Sequence, residues 1–443
     1  MGIEKMKKIG FVTLGCKVNI YESNALKNAL IERGYQVGEP TSDCDAFIVN
    51  TCSVTNMADA KSRKMIHRLA KLNPEAVLSV MGCYSQTNPE ALQIEGVDVL
   101  VGNGNKLDII PMLEDKLLDH SIQKQVKILN ILDHNIYEPL EVTTYDHTRA
   151  FVKIEDGCEN FCTYCIIPYA RGPVRSKPVE DVIREMKRIT EEGYVEVVLA
   201  GIHTGRYFDS GTTLSMLIAR ILKEVPKLER LRLSSIEINE IDDQFLDLLA
   251  ESKVLADHLH LPLQSGSDIV LEKMERKYDT TFFLEKINKI RKVRPNISIT
   301  TDVITGFPYE SEDSFEETKA FIQKVRFSKL HVFPYSMRKN TKACTFPQIP
   351  EGIKKQRTNE LLEISKKLEA EYAEAFIGST MEVIIEQGID EVWMTGHSSN
   401  YLQVYIKRED ALLKKNISVR IQGIENGRII GKVLGSMAEN GIF

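Results

Sequence analysis

Short apolar runs alternate with stretches of helical periodicity through most of this chain, and that alternation limits the fold more than any other feature. Residues 9–14, 45–50, 77–81 and 97–101 read as strands, and residues 21–33 and 55–72 as helices between them. Gly34 stops the first helix and Asn73-Pro74 the second. Strands separated by helices cannot pair as hairpins, so they pair in parallel, in a doubly wound α/β sheet. Some forty residues of weaker pattern then lead to Tyr145.

A second alternation begins at Ala150, with apolar runs at 151–154, 195–200, 231–233, 259–263, 297–304 and 330–333. Helical stretches such as 179–192 and 314–325 separate them. Six β/α units in about 190 residues suit an incomplete (β/α)6 barrel, since a closed eight-unit barrel takes about 250 residues. A long helical pattern over 354–376 closes this region. After Gly378 come short β-rich runs at 381–386, 401–406, 417–424 and 429–433, the texture of a small all-β barrel. The expected division is therefore 1–142, 143–376 and 377–443.

Composition removes several function classes. No apolar run approaches the roughly 18 residues needed to cross a bilayer. The basic start Met1–Lys8 is followed by an apolar stretch too short for a secretory leader, so a cytoplasmic protein is expected. The formal net charge of -6 argues against a globally basic surface that binds nucleic acid nonspecifically, though a local basic face remains open. In a reducing compartment, the eight cysteines point to metal binding or catalysis rather than disulfides.

The densest motif is Asp156-Gly157-Cys158-Glu159-Asn160-Phe161-Cys162-Thr163-Tyr164-Cys165, directly after an expected strand. A loop with this spacing can turn three thiolates toward one metal centre. A four-iron cluster normally takes four cysteine ligands, so three leave one iron open to a small molecule. A structural zinc site would want a fourth ligand nearby, but the next His or Cys is His203. An electron-transfer ferredoxin would want a fourth spaced Cys followed by Pro.

Three further cysteines each follow the C-terminal end of an expected parallel strand: Cys16, Cys52 and Cys83, 36 and 31 residues apart. In open α/β sheets the ligand crevice lies outside those ends, so the three converge. Gly15 and Gly82 beside them allow the backbone to pass close to a bulky group. Cys44 and Cys344 fit neither set and read as ordinary thiols.

The Cys-x-x-x-Cys-x-x-Cys loop, with Tyr164 before its last Cys, resembles the radical S-adenosylmethionine superfamily. The longer string from Gly157 to Pro168, with Arg171-Gly172 and Arg175-Ser176, resembles the methylthiotransferases along the whole chain. The resemblance implies two [4Fe-4S] clusters: a radical-generating one on Cys158, Cys162 and Cys165, and an auxiliary one on Cys16, Cys52 and Cys83. All six cysteines are then catalytic. It implies S-adenosylmethionine contacts from Tyr164, from Gly201 and His203 after the second barrel strand, from Ser235 and Glu237 after the third, and from Gln264 after the fourth. The reaction implied is reductive cleavage to a 5′-deoxyadenosyl radical, hydrogen removal from an inert carbon and insertion of a methylthio group. The electron would come from a reductant such as flavodoxin or ferredoxin, and the chain is expected to be a monomer.

Two features bear on the substrate. The C-terminal module resembles the TRAM domain, an RNA-binding barrel, although residues 376–443 hold seven basic and eight acidic residues. Its Lys407, Arg408, Lys414, Lys415, Arg420, Arg428 and Lys432 could share one face. The helix after Cys52 carries Lys61, Lys64, Arg68 and Lys71 at three-and-four spacing beside an expected apolar stripe of Met65, Leu69 and Leu72, a candidate RNA-phosphate contact. Within the family resembled, Lys17-Val18-Asn19 after Cys16 looks like the enzymes acting on N6-threonylcarbamoyladenosine at tRNA position 37, which add the methylthio group at C2. Isopentenyladenosine in tRNA and a ribosomal-protein aspartate are the alternative substrates. A noncatalytic iron–sulfur RNA-binding protein is the rival from another class. The chain departs from the family pattern at Asn340-Thr341-Lys342-Ala343-Cys344, where Gly-Thr-Pro-Ala-Ala is usual.

Anaerobically reconstituted protein is expected to hold about eight irons per chain, as two four-iron clusters. Iron analysis that saturates near four would remove the auxiliary site.

Overall fold

A computed structural model describes residues 6–88, 90, 94, 96–145 and 148–434. The basic start up to Lys5 lies outside the described residues.

Six parallel strands form the first sheet, in the spatial order Gln36–Gly38, Lys8–Thr13, Ala46–Thr51, Val77–Gly82, Val97–Val101 and Gln125–Lys127. Every residue of Ala46–Thr51 and Val77–Gly82 is buried, because helices cover both faces of a parallel sheet. The order reverses between Lys8–Thr13 and Ala46–Thr51, so the crevice of this sheet opens at their C-terminal ends. Cys16 and Cys52 follow those two ends, and Cys83 follows the next strand.

Three elements here escape the sequence pattern. The edge strands Gln36–Gly38 and Gln125–Lys127 have three residues each and carry no periodicity to read. The helix Ile109–Leu118 lies in the region of weak pattern. The first helix also starts earlier than expected, at Lys17, which makes Cys16 its N-cap residue.

The helix Asn56–Leu72 is capped by Thr55, whose side chain accepts from the Ala58 N–H at 3.1 Å. Its buried residues are Asp59, Ser62, Ile66 and Leu69, so of the expected stripe Leu69 enters the core and Met65 packs against it, while Leu72 is 37% exposed and is corrected. Tertiary partners set the rotation. Arg338, from the loop after the last barrel strand, pairs with Asp59 at 2.7 Å, and Ser62 donates to the Cys52 carbonyl at 3.0 Å.

The second alternation builds a half-barrel of six parallel strands. Ala150–Lys153, Glu196–Ala200 and Arg230–Leu233 form one ladder. His258–His260, Ser298–Thr305 and Lys329–Pro334 form the other. Leu231 joins them, donating to the Val254 carbonyl and accepting from the Ala256 N–H. Helices pack outside this sheet around an aliphatic core. The long helix Glu351–Glu374 lies along the last strand, with Ser365 accepting from the Leu330 N–H at 3.0 Å.

The C-terminal module is a closed barrel of Thr380–Gly388, Trp393–Ser398, Gln403–Lys407, Arg428–Val433 and Asn416–Glu425. Trp393–Ser398 is an additional strand. Its Gly396 hides it from the sequence pattern but is required, because a Cβ there would sit 2.0 Å from the Ile384 carbonyl oxygen. The barrel is clamped to the half-barrel by two arginines. Arg230 donates to the His397 and Glu382 carbonyls at 3.1 and 3.0 Å, and Arg232 to the Ser399 carbonyl at 3.2 Å. Glu196 neutralises both, at 3.2 and 2.7 Å. Among the described residues no helix is long and apolar enough to cross a membrane.

A second clamp joins the first sheet to the half-barrel. Fully buried Arg171 pairs with Glu22 at 2.7 Å and Asp156 at 3.0 Å, while Lys153 and Lys106 reach Glu22 at 2.8 and 3.1 Å. Burial alone would raise both carboxyls, but these cations hold them below the usual range. Removing one partner strands buried charge, so Arg171→Met should lower unfolding stability by about 3–5 kcal/mol, read as a shift in the urea midpoint. An unchanged midpoint would show that the clamp does not hold these parts together.

Candidate functional site

Gly157 turns the chain from the first barrel strand into the three-cysteine loop with φ +103°, and a Cβ there would lie 1.9 Å from the Pro173 carbonyl oxygen. Only glycine fits such a position. The loop is then pinned from outside. Cys158 N–H donates to the Gly172 carbonyl at 3.0 Å, and Thr163 N–H to the Met274 carbonyl at 3.1 Å. Thr163 in turn accepts from the Ala343 N–H at 2.7 Å, through the segment that departs from the usual family pattern.

The three thiols sit close together on this loop. Burial pushes Cys165 up to about 12, with Cys162 adding to it, and pushes Cys158 well above the ordinary thiol range, with Cys165 and Cys162 adding. Two neighbours touch them directly. Nδ1 of His203 lies 3.6 Å from Cys158 Sγ, and its Nε2 lies 2.6 Å from Glu240. Arg276 donates to Cys162 Sγ at 3.4 Å and pairs with Glu237.

The other three cysteines meet in the crevice of the first sheet. Gly15 sits so near that a Cβ on it would lie 3.1 Å from Cys52 Cβ. Burial pushes Cys52 up to about 11, with Cys83 and Cys16 adding. Cys16 opens to a cavity walled by all three parts of the chain, and this enclosure raises its thiol. Its Sγ lies 3.6 Å from Asn19 Oδ1, which accepts from Arg171 at 2.6 Å. Asn19 also donates to the Leu14 and Thr51 carbonyls at 2.8 and 3.0 Å, tying the loops of Cys16 and Cys52 together.

The thiols suit iron–sulfur clusters. Burial raises the thiols of Cys16, Cys52, Cys158 and Cys165, and such thiols ionise readily only beside a strong positive centre, which iron would supply. A single zinc ion draws its ligands to within about 2.0–2.3 Å of one point. Among the described residues no three His, Cys, Asp or Glu side chains gather that way.

A cavity of about 1150 Å³ opens from Cys16 through the half-barrel interior to the C-terminal barrel. Gly201 and Ser235 line it. His203, Glu237 and Tyr164 lie instead around the three-cysteine loop, where Tyr164 packs edge-on against Phe307 and neighbours Arg276. Gln264 holds a left-handed backbone at φ 66° and donates its N–H to the Asp302 carbonyl. Lys61, Lys64, Arg68 and Lys71 are all exposed, and the last three line a shallow surface groove with His67. In the C-terminal barrel, Arg420 and Lys432 stand opposite each other across a ladder, while Arg408 is taken up by Asp410. Cys44 lies in the apolar core of the first sheet.

Sequence reasoning missed Arg276, Glu155 and Tyr401. Arg276 sits in a charged stretch that reads as surface, and Glu155 gave no signal before the loop was folded. Tyr401 lies on the C-terminal barrel, with its ring stacked between His258 and His397, each 4.8 Å away. Burial raises its hydroxyl, but Arg149, Lys17 and Arg232 outweigh that and lower it.

The radical S-adenosylmethionine superfamily model matches residues 152–322, and an uncharacterized protein family, UPF0004, matches residues 8–102. Among solved structures, the radical S-adenosylmethionine methyltransferase TsrM from Kitasatospora setae shares this fold. Its TM-score is 0.55 at 13% identity, over 74% of this chain and 75% of that one. The half-barrel with its three-cysteine loop is thus that of a radical S-adenosylmethionine enzyme. The threonylcarbamoyladenosine tRNA methylthiotransferase MtaB of Bacillus subtilis (strain 168) is 39% identical over 94% of both chains. That of Aquifex aeolicus (strain VF5) is 38% identical over 91% of this chain and 97% of its own. The tRNA-2-methylthio-N(6)-dimethylallyladenosine synthase of Acetivibrio thermocellus is 31% identical over 95% of this chain and 90% of its own. This chain belongs to the radical S-adenosylmethionine methylthiotransferase family, enzymes that add sulfur and use [4Fe-4S] clusters with S-adenosylmethionine.

Glu155 carries a pH signature. Its Oε2 accepts from the His203 N–H at 2.6 Å, yet burial pushes its carboxyl well above the usual range. A raised folded pKa adds stability below the unfolded value of about 4.3, and that contribution is lost as pH rises through the folded value. Glu155→Gln should therefore flatten the fall in urea midpoint between mildly acidic and alkaline pH. An unchanged pH slope would show that Glu155 is not the group responsible.

Proposed function

We propose that this chain adds a methylthio group to C2 of N6-threonylcarbamoyladenosine at position 37 of tRNA. The observation that carries this reading is full-length likeness at 39% identity to a relative named for that substrate. The opening of Cys16, Gly201 and Ser235 onto one cavity supports it.

On this reading Cys158, Cys162 and Cys165 hold the radical-generating cluster, and Cys16, Cys52 and Cys83 the auxiliary one. With S-adenosylmethionine, the first cluster supplies a carbon-centred radical able to open an inert C–H bond. The chain's own part is positioning and shielding. Arg276 donates to Cys162 Sγ, and His203 lies against Cys158, its ring oriented by Glu240. Gly201 and Ser235 face the space where the sulfonium would lie. The exposed row Lys61, Lys64, Arg68 and Lys71, just beyond Cys52, would contact tRNA phosphates, with the TRAM-like barrel adding a second RNA surface. Units 1–142, 143–376 and 377–443 divide this work. We place the enzyme in the cytoplasm as a monomer reduced by a flavodoxin or ferredoxin.

Nucleoside mass spectrometry of tRNA incubated with reconstituted enzyme should show 2-methylthio-N6-threonylcarbamoyladenosine. Product on dimethylallyladenosine instead would move the substrate to the Acetivibrio relative's. Cys158→Ala should abolish 5′-deoxyadenosine formation. Cys52→Ala should keep that cleavage but give no methylthio nucleoside, and a normal yield would overturn the second cluster's assignment.

A further inference from the structure

The cavity beside Cys16 contains one cation that no side chain neutralises. Lys17 lines the cavity and is partly buried. Among the described residues it makes no ion pair and no side-chain hydrogen bond, and its leading electrostatic neighbours are Tyr401, Arg149, Arg232 and Cys16, none of them a carboxylate. The two arginines differ from it. Arg232 is held by Glu196 at 2.7 Å, and Arg149 by Glu386 at 3.2 Å. A partly buried ammonium held beside two arginines, with no carboxylate among its leading neighbours, is costly, and an anionic ligand offsets that cost. The surroundings also fix where such an anion would sit. Tyr401 is clamped between two imidazoles, with Arg232 and Arg149 4.7 and 5.4 Å from its ring centroid, so the wall facing Lys17 is rigid and electropositive.

We propose that Lys17 binds the carboxylate of the substrate nucleoside, and so sets specificity for the threonylcarbamoyl group over uncharged N6 substituents. This rests on the substrate reading above. Threonylcarbamoyl is the substituent that carries a free carboxylate, whereas dimethylallyl is a hydrocarbon. An ammonium one residue from Cys16 would anchor the N6 side of the base while C2 lies toward the cysteines. Tyr401 positions Lys17 and shapes the wall.

The test uses anaerobically reconstituted protein and one tRNA in three forms: threonylcarbamoyladenosine at position 37, the same nucleoside with its carboxylate converted to a primary amide, and unmodified adenosine. Dissociation constants are measured for wild type, Lys17→Gln and Lys17→Arg. Wild type should bind the carboxylate form at least about tenfold more tightly than the amide, the scale of one charge-assisted hydrogen bond. Lys17→Gln should bring that ratio near one, and Lys17→Arg should keep most of it. A ratio that persists in Lys17→Gln, while wild type still makes the methylthio product, overturns the role of Lys17 alone. Absence of product from every form overturns the substrate reading as well. Should Lys17→Gln fail to load iron, the wild-type comparison still decides, because equal affinity for carboxylate and amide overturns the proposal.

Discussion

The buried clamp around Arg171 holds the turn of Cys16, at the C-terminal edge of the first sheet, in place against the turn of Cys158 on the half-barrel. Arg171 comes from the segment after the three-cysteine loop. It binds Glu22 and Asn19 on the helix that starts at Lys17, and Asp156 just before Cys158. One guanidinium therefore sets the distance between the Cys16 turn and the Cys158 turn. Its planar fork of donors suits this task better than the single ammonium of lysine. The carboxylates stay ionised because four cations, Arg171, Lys106, Lys153 and Arg175, surround them.

Two further joints use the same means, an arginine reaching from one part of the chain to another. Arg338 ties the half-barrel to Asp59 beside the Cys52 loop. Arg230 and Arg232 tie it to the C-terminal barrel. Apolar packing holds each part together internally and, through Tyr21 and Ala25, also joins the first helix to the half-barrel core, while buried polar groups supply the directional contacts at the joints. Polar joints fix orientation through hydrogen-bond geometry, which apolar contact does less well. The interior strands of the half-barrel follow suit, with His258, His260, Thr300, Asp302 and His331 facing the cavity where an ordinary barrel would carry aliphatic side chains.

The legible parts of the sequence were those governed by local rules. Strands such as Val97–Val101 were readable because burial on both faces leaves a continuous apolar run. The half-barrel was readable as six units because each strand was followed by a helical pattern. The edge strands, the Gly396 strand and the rotation of helix Asn56–Leu72 were not, since each depends on a partner distant in the chain. The same division holds in the site. Cysteine spacing identified both thiol sets, but Arg276 reaches Cys162 and Tyr401 stacks on His258 across more than a hundred residues of chain, contacts that no local pattern carries.

The sequence by itself determined the chemistry: three cysteines on one loop, three more at strand ends, and at the turns of Cys16, Cys83 and Cys158 a glycine whose backbone angle disfavours any side chain. Those choices are local, set by spacing and by φ. Tertiary structure alone decided how the turns of Cys16 and Cys158 are tied together through Arg171, which residues touch the thiols, and that among the described residues no carboxylate pairs with Lys17 in the cavity. Charge balance in a buried space is a sum over every element packed around it, so it exists only once all three parts of the chain have closed on that space.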